Sequence, residues 1–424
     1  MAGSVAQTPR ALPRVPLKKT FLTHPELAVL FFLHGAALSA WFVPLGRVLD
    51  SHELGSAKPM AYAASAIAAF VSPLWFGAMA DRHASPVKVL RGLALATAAS
   101  MSLASAAIHW KAGPGLTLLA IQVHSLCSSP TWPLSCTVVF ARLANSKHEF
   151  GPLRAVGTFG WMAGCWLVSA LGADASPGSG FAGSLIWLGV AAMTWRLPKV
   201  EAPNSSEGLT LRQRLGLDAL DLLRVSDHRI VFFTAALLNV PLAAFYPYTP
   251  PHLRELGLER TSAWMTLGQI TEIAAMFMLG GLITRWRLKW IFVAGLSCGV
   301  LRFALCALDQ RGFILGGIAL HGFSYTLVFI TAQIYIDERI DPAWRARAQA
   351  LLVLLTSGFG NLAGYLGTGW WHAYLTGPQG TRWSLYWASL AASVGFLLVL
   401  FLVAYHGRPD TKRTGRTRTT SPSD

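Results

Sequence analysis

Charged residues are scarce in this chain: only 13% of its 424 residues are Asp, Glu, Lys or Arg, whereas 53% are hydrophobic. Soluble domains carry about a quarter charged residues. A soluble protein of this length would also need a charged surface over two or three cores. The composition therefore excludes a disordered chain and a water-soluble multidomain protein, and it indicates that lipid is the solvent.

Cysteine pairs and catalytic motifs are missing as well. The five cysteines lie in apolar stretches without CxxC spacing, so we predict neither a disulfide nor a metal site. The chain has no GxxxxGK[ST] loop and no HExxH motif. The one GxSxG match, residues 295–299, lies inside a predicted span and not at a strand-to-helix turn, so it is no catalytic elbow. These absences exclude direct ATP hydrolysis, and we predict no catalytic residue, no cofactor and no enzyme.

Long apolar runs dominate the rest of the sequence. A helix needs about 20 apolar residues to cross the hydrocarbon core, and twelve runs of that kind are separated by breaks rich in Gly, Pro, Ser and charge. We therefore predict an all-α membrane protein of twelve transmembrane helices. The predicted spans are residues 27–48, 59–80, 88–109, 114–141, 153–173, 179–195, 229–250, 262–284, 288–308, 312–336, 346–372 and 383–405.

Basic residues alternate between the two sides of this arrangement. Counting Lys and Arg in successive loops gives 27 on one side and seven on the other, which predicts an inner (cytoplasmic) membrane protein with both termini in the cytoplasm. Membrane lipid is thus an expected partner. Nucleic acid is not, because the basic residues are spread over every inner loop and form no basic domain.

One long interior segment is too polar to span. Residues 197–228 predict a cytoplasmic linker with a short amphipathic helix, which divides the spans six and six. A weak repeat agrees, because residues 77–82 after span 2 resemble 280–285 after span 8. We predict the major facilitator fold. The predicted segments are the N-terminal segment 1–26, the halves 27–196 and 229–405 with the linker 197–228 between them, and the basic cytoplasmic tail 406–424.

Five short motifs make the resemblance more specific. In chain order they resemble the nucleoside:proton symporter family of the major facilitator superfamily, over about residues 25–405. The motifs are residues 130–135 in span 4, 153–161 opening span 5, 268–272 in span 8, 301–303 in span 9 and 345–349 opening span 11.

The resemblance implies a solute cavity between the halves. Its implied solute-binding residues are Arg154, Thr158, Trp161, Tyr246, Gln269, Glu272, His321 and Tyr325. It also implies that Arg302 pairs with Glu272 for proton coupling; the alternative is that Arg302 extends to the membrane interface. Span 7 departs from the family, because Ala243 and Tyr246 stand where the family has amide side chains. The solute is therefore expected to be a small polar, ring-containing molecule resembling a nucleoside, with a sugar or an aromatic acid as alternatives.

Glu272 carries a physical argument of its own. It is the one acidic residue that the prediction places well inside a span, where an ionised side chain costs on the order of 3 kcal/mol or more. Such a carboxyl either is protonated or meets water or a partner, and alternating exposure to the two sides would make it a proton carrier. The alternative is a permanent ion pair that only holds helices together.

Helical spacing aligns the other polar residues. Arg154, Thr158 and Trp161 follow at i, i+4 and i+7, so they share one face of span 5, and His321 and Tyr325 form an i, i+4 pair in span 10. A cation, a hydroxyl and aromatic rings suit a polar ligand with a flat ring. Without the resemblance, a loop-end arginine and ordinary packing would be the favoured explanation of the span 5 residues, and hydrogen-bonded packing would explain His321 equally well.

Charges at the inner loops predict gates. Asp81 and Arg82 lie in the 2–3 loop, and Asp337, Glu338 and Arg345 lie at the inner ends of spans 10 and 11. Such a cluster can close one conformation. Repeated prolines in span 7 predict a bendable outer half-helix.

Together these observations predict a secondary active transporter that carries a small-molecule solute with protons by alternating access, and we expect a monomer. Two alternatives are a non-transporting membrane receptor and a membrane-embedded enzyme. The missing catalytic motifs disfavour the enzyme, and the retained Glu272 disfavours the receptor.

Overall fold

The computed structural model describes residues 24–80, 85–143, 146–197, 210 and 217–407, without the side chains of 72–80 and 146–148. Nearly all of this chain is helical. The helices are α1 (Pro25–Phe42), α2 (Leu45–Ser51), α3 (Lys58–Ala80), α4 (Pro86–His109), α5 (Pro114–Ser128), α6 (Thr131–Phe140), α7 (Ser146–Ala170), α8 (Gly178–Met193), α9 (Ser226–Leu242), α10 (Phe245–Glu255), α11 (Thr261–Met265), α12 (Leu267–Arg285), α13 (Leu288–Ala307), α14 (Arg311–Tyr325), α15 (Thr331–Arg339), α16 (Arg345–Val353), α17 (Asn361–Leu375) and α18 (Trp383–Ala404).

Within the described residues, eight helical stretches are long and apolar enough to cross a bilayer. A short β-hairpin, β1 (Thr376–Gly377) and β2 (Gly380–Thr381), connects α17 to α18. The eight stretches are Pro25–Ser51, Pro86–His109, Ser226–Glu255, Thr261–Arg285, Leu288–Ala307, Arg311–Arg339, Arg345–Leu375 and Trp383–Ala404.

Two of these stretches are broken in matching places. The first is interrupted between Phe42 and Leu45, at Pro44, and the other between Leu242 and Phe245, next to Pro241. Proline removes a backbone donor and crowds the preceding turn. The predicted half-helix in span 7 is thus present as α10, and α10 packs against α2.

Two further stretches contain π-helical turns, at Thr326–Ile330 between α14 and α15 and at Leu354–Gly360 between α16 and α17. A π turn shifts the backbone hydrogen bonds from i+4 to i+5 and often marks a functional site. The turns therefore change which side chains face the interior beyond them.

The buried apolar residues form two large groups. The N-terminal cluster is built mainly from residues 27–197 and the C-terminal cluster mainly from 219–405, although each takes in two residues from the other region. The interior surface between the two clusters holds the cavity described below.

Several predicted features lie wholly or partly outside the described residues. They are the gate residues Asp81 and Arg82, most of the N-terminal segment 1–26, the tail beyond 407 and most of the linker. The described part of the linker, Leu217–Arg224, forms a 3₁₀ helix.

Candidate functional site: a central cavity

A cavity of about 600 Å³ lies between the two clusters. This volume is within the range of small-molecule sites. The residues that the sequence proposed for solute binding come together here: Arg154, Thr158, Trp161, Tyr246, Gln269, Glu272, His321 and Tyr325 all line the cavity.

The wall formed by α7 is aromatic and basic. The Arg154 guanidinium lies over the Trp132 ring, 5.1 Å from its centroid, and Trp132 stacks in turn on Phe31 with centroids 5.2 Å apart. Trp132 lines the cavity although we did not predict it there. The sequence did offer a signal for Trp132, because this residue lies within the span 4 motif 130–135 that contributes to the family resemblance.

The wall formed by α12 carries Gln269 and Glu272. The Gln269 Nε2 donates a hydrogen bond to Tyr246 Oη at 3.1 Å. Glu272 is half-buried, and among the described residues its carboxyl has neither a hydrogen bond nor an ion pair. Arg154 acts on this carboxyl electrostatically from the opposite wall. Glu272 is therefore a cavity acid with unused acceptor capacity.

Aromatic rings close one end of the cavity. Tyr246 lies 5.2 Å from Phe42 and 5.9 Å from Trp161, measured between ring centroids. Because Phe42 and Tyr246 stand at the two helix breaks, these rings connect the N-terminal and C-terminal clusters at the points where the helices are least regular.

Arg302 occupies a different place from the one expected. Its side chain is buried, its Nη1 donates to His321 Nδ1 at 2.6 Å, and its guanidinium lies over the rings of Phe245 and Phe303. The expected ion pair with Glu272 is not among the contacts of the described residues. Arg302 is not among the residues that line the cavity; α13 packs against α14, and the Arg302 guanidinium contacts the cavity-lining His321.

Amide side chains line the cavity at positions that we did not predict. Asn239, one turn before Ala243 in α9, donates through Nδ2 to the Thr356 carbonyl and to Asn361 Oδ1, both at 2.7 Å. Asn239 and Asn361 both line the cavity, as does Gln333. The sequence signal for Asn239 was a polar residue inside an apolar run. Its amide lies one helical turn before position 243, where the family has an amide side chain and this chain has alanine.

Within the described residues, hydrogen bonds between the regions 24–197 and 217–407 are found at one end only. They join α2, the C-terminal part of α7 and the loop after it to residues 259–266, which contain α11. The buried Asp174 carboxylate accepts from the Ser262 backbone N–H at 2.7 Å and from Thr261 Oγ1 at 3.4 Å. Nearby, Ser169 Oγ accepts from the Ala263 N–H and Arg47 donates to Glu259. We call this group, centred on Asp174, the Asp174 latch.

The predicted inner gate residues that the structure describes, Asp337, Glu338 and Arg345, show no ion pair between the clusters. The Arg345 Nη1 lies 3.2 Å from Asp337 Oδ1, and both residues belong to the C-terminal region. Glu338 is exposed beside them. The end of the cavity opposite the Asp174 latch therefore shows no polar closure among the described residues.

Comparison with known proteins identifies the family. A model of the family described as "Nucleoside H+ symporter" matches residues 22–410. The chain is 34% identical to "Putative nucleoside transporter YegT" of Escherichia coli (strain K12) over 405 residues, covering 90% of this chain and 94% of that protein. It is 24% identical to the nucleoside permease NupG of the same organism, over 90% of this chain and 95% of the relative.

Solved structures agree on the fold. A crystal structure of the nucleoside transporter NupG superposes with a TM-score of 0.80 at 22% identity, covering 92% of this chain and 99% of the other. A bacterial homologue of the human lysosomal transporter Spinster, in an inward-facing conformation, superposes with a TM-score of 0.68 at 13% identity, covering 96% and 99%. The fold is accordingly that of a multi-pass membrane transporter of the major facilitator type, and the chain belongs to the nucleoside H+ symporter family.

Proposed function

We propose that this protein carries a nucleoside and protons together across the inner membrane by alternating access. One observation supports this most directly: a half-buried carboxyl, Glu272, faces Arg154 and aromatic rings inside a cavity between two clusters. The relatives named above, a putative nucleoside transporter and a nucleoside permease, also support a nucleoside as the solute. Stacking rings and amide groups are the chemistry that binds a base and a ribose.

The proposed architecture is twelve spans in two six-helix halves, residues 27–196 and 229–405. The eight qualifying stretches, together with α3, α5 with α6, α7 and α8, supply the twelve, and the two buried clusters support the division. We propose that segment 1–26, linker 197–228 and tail 406–424 are cytoplasmic, and that the protein works as a monomer in contact with lipid and not with nucleic acid.

This orientation makes the Asp174 latch an outer closure. The loop after α7 and the loop before α11 are on the side poor in basic residues, so the hydrogen-bonded end of the cavity is the outer one. In the proposed cycle, Glu272 takes a proton from the outer side, the solute binds between α7 and α12, and the halves rock. Release of both ligands inward then resets the carrier.

The residue roles follow from position. We propose that Arg154, Thr158, Trp161, Tyr246, Gln269, His321 and Tyr325 contact the solute and that Glu272 couples it to the proton, while Arg302 acts by holding His321. A protonated Glu272 can donate a hydrogen bond, whereas the ionised form is attracted by Arg154. Solute and proton can thus influence each other's binding through one cavity.

Uptake by the purified protein in proteoliposomes tests this proposal. We expect labelled uridine to accumulate against its gradient when the outside is acidic, and Glu272→Gln to abolish accumulation while retaining solute counterflow. Glu53→Gln is the matched control, because Glu53 is an exposed acid in the loop after α2. Full proton-driven accumulation by Glu272→Gln would remove Glu272 from coupling, and accumulation of sugars or aromatic acids instead of nucleosides would change the solute class.

A further inference from the structure

Asn239 and Asn361 form a hydrogen-bonded amide pair in the cavity wall, 122 positions apart in sequence. The two side chains are partly exposed, and both line the cavity. The Asn239 Nδ2 donates to Asn361 Oδ1 and to the Thr356 carbonyl oxygen, each at 2.7 Å. Both hydrogens of this amide nitrogen are therefore in use.

The chemistry of the partners fixes which atoms remain free. A backbone carbonyl only accepts, so the atom of Asn239 that faces Thr356 must be the nitrogen. That nitrogen needs an acceptor on Asn361, which must be Oδ1. The unused atoms are consequently Asn239 Oδ1, an acceptor, and Asn361 Nδ2, a donor. Within the described residues neither atom has a hydrogen-bond partner, and neither is among the fully buried unpaired atoms.

The pair is held in place before any solute arrives. Asn361 ends the π-helical turn Leu354–Gly360, and its backbone N–H donates to the Thr356 oxygen. The same oxygen thus receives one hydrogen bond from each asparagine. At Gly360 an added Cβ would lie 2.8 Å from the Ala236 carbonyl oxygen, so α9 approaches the π turn closely. A site whose groups are already oriented loses little conformational entropy on binding.

We propose that Asn239 Oδ1 and Asn361 Nδ2 form a recognition subsite for the edge of a nucleobase that presents an N–H donor beside a carbonyl or ring-nitrogen acceptor. This proposal rests on the proposed function. An asparagine amide reads adenine through a donor and an acceptor of the same kind, and here the two functions are divided between two side chains. A solute without the N–H would leave Asn239 Oδ1 unpaired, which is the costly case for a polar group removed from water.

The alternative is that the pair only fastens α9 to α17. A fastening role predicts that substitutions change stability but leave the ranking of solutes unaltered. A recognition role predicts that the ranking itself changes. Selectivity between two solutes that differ by one hydrogen-bond donor therefore separates the two roles.

Uridine and 3-methyluridine are two such solutes, because they differ only in a methyl group that replaces the hydrogen of the ring N–H. We expect the wild-type protein to bind uridine about tenfold or more tightly than 3-methyluridine, measured by ligand-dependent thermal shift and by competition for uptake. In Asn361→Asp the acceptor for Asn239 remains but the donor to the base carbonyl is lost. Both solutes carry that carbonyl, so both should bind more weakly, while the affinity ratio, which depends on Asn239 Oδ1, should stay near the wild-type value. In Asn239→Leu the ratio of uridine affinity to 3-methyluridine affinity should fall towards one, and the protein should also lose some stability.

Gln333→Ala is the matched control, because it removes another cavity amide that is not part of the pair; its ratio should stay at the wild-type value. A wild-type ratio near one, a wild-type ratio retained in Asn239→Leu, or uridine affinity unchanged in Asn361→Asp would overturn the recognition role while leaving nucleoside transport intact. Failure of the wild-type protein to bind or carry either solute would overturn the proposed function, and this inference with it.

Discussion

Arg302 donates a hydrogen bond to His321 Nδ1 across 2.6 Å, and no acid of the described residues forms an ion pair with this buried guanidinium. Because Nδ1 accepts this bond, the hydrogen of a neutral His321 ring must be on Nε2. The ring is further fixed by stacking on Phe245, with centroids 4.0 Å apart. Arg302 therefore positions His321, which lines the cavity and carries a hydrogen-bond donor on Nε2.

Replacing Arg302 with Met should separate stability from solute binding. A buried charge without an acidic partner is expensive, so an apolar side chain of similar length should leave the Tm unchanged or raise it. His321 would lose its fixed orientation, and we expect solute affinity to fall about tenfold. Thermal unfolding with and without uridine measures both quantities.

Cys298→Ser, one turn earlier in α13, is the control for a polar change in the same helix. A Met variant with lower Tm and unchanged affinity would show that Arg302 only supports the packing of α13 on α14.

The Asp174 latch should determine how often the outer end opens. Asp174→Ala removes the acceptor for the Ser262 N–H and for Thr261 Oγ1, and loss of a buried partner costs about 1–3 kcal/mol. We expect the outward-open population to increase between about fivefold and a hundredfold. Labelling of an introduced cysteine, Phe42→Cys, by a membrane-impermeant thiol reagent from the outer side measures this change.

Labelling of the protein without Phe42→Cys measures the background from the native cysteines. Glu53→Gln controls for the loss of an outer negative charge. Equal labelling rates with and without Asp174→Ala would mean that the latch does not limit opening. We expect faster labelling without a comparable loss of folded protein.

Part of this site follows from the sequence because helical periodicity alone sets it. Arg154, Thr158 and Trp161 share a face since 3.6 residues make a turn, and an acid inside an apolar run must find water or a partner. Those positions were predicted, and the structure places them together in the cavity. The break in span 7 also followed, because proline removes a backbone donor and crowds the preceding turn.

Other features depend on tertiary contacts that periodicity does not contain. Asn239 meets Asn361 only through the packing of α9 on a π-helical turn, and that turn is not visible in an apolar run. Arg302 was expected beside Glu272 because the family resemblance implies an arginine there, but in the structure α13 packs on α14 and Arg302 donates to His321. Asp174 was overlooked because it lies in a loop, where an acid is unremarkable until its partners are known.

The contact between Gly46 and Pro247 gives a final prediction for the outer closure. Here α2 and α10, the outer pieces of the two broken helices, approach so closely that a Cβ on Gly46 would lie 2.7 Å from the Pro247 carbonyl oxygen and 3.2 Å from its Cα. Both neighbours are backbone atoms, so they cannot move aside as a side chain would. Gly46→Ala should therefore destabilise the outward-closed state in particular.

We expect Gly46→Ala to increase outer labelling at Phe42→Cys and to slow net uptake, because a carrier that closes poorly outside completes fewer cycles. Gly92→Ala in α4 is the matched control, since a Cβ there meets no atom within 4 Å and should leave both rates at the wild-type level. If Gly46→Ala transports and labels like Gly92→Ala, the two broken helices can separate without cost, and the close approach of α2 to α10 is not what closes the outer end. If it labels faster while Asp174→Ala does not, backbone contact between the broken helices, rather than the Asp174 latch, holds the outer end shut.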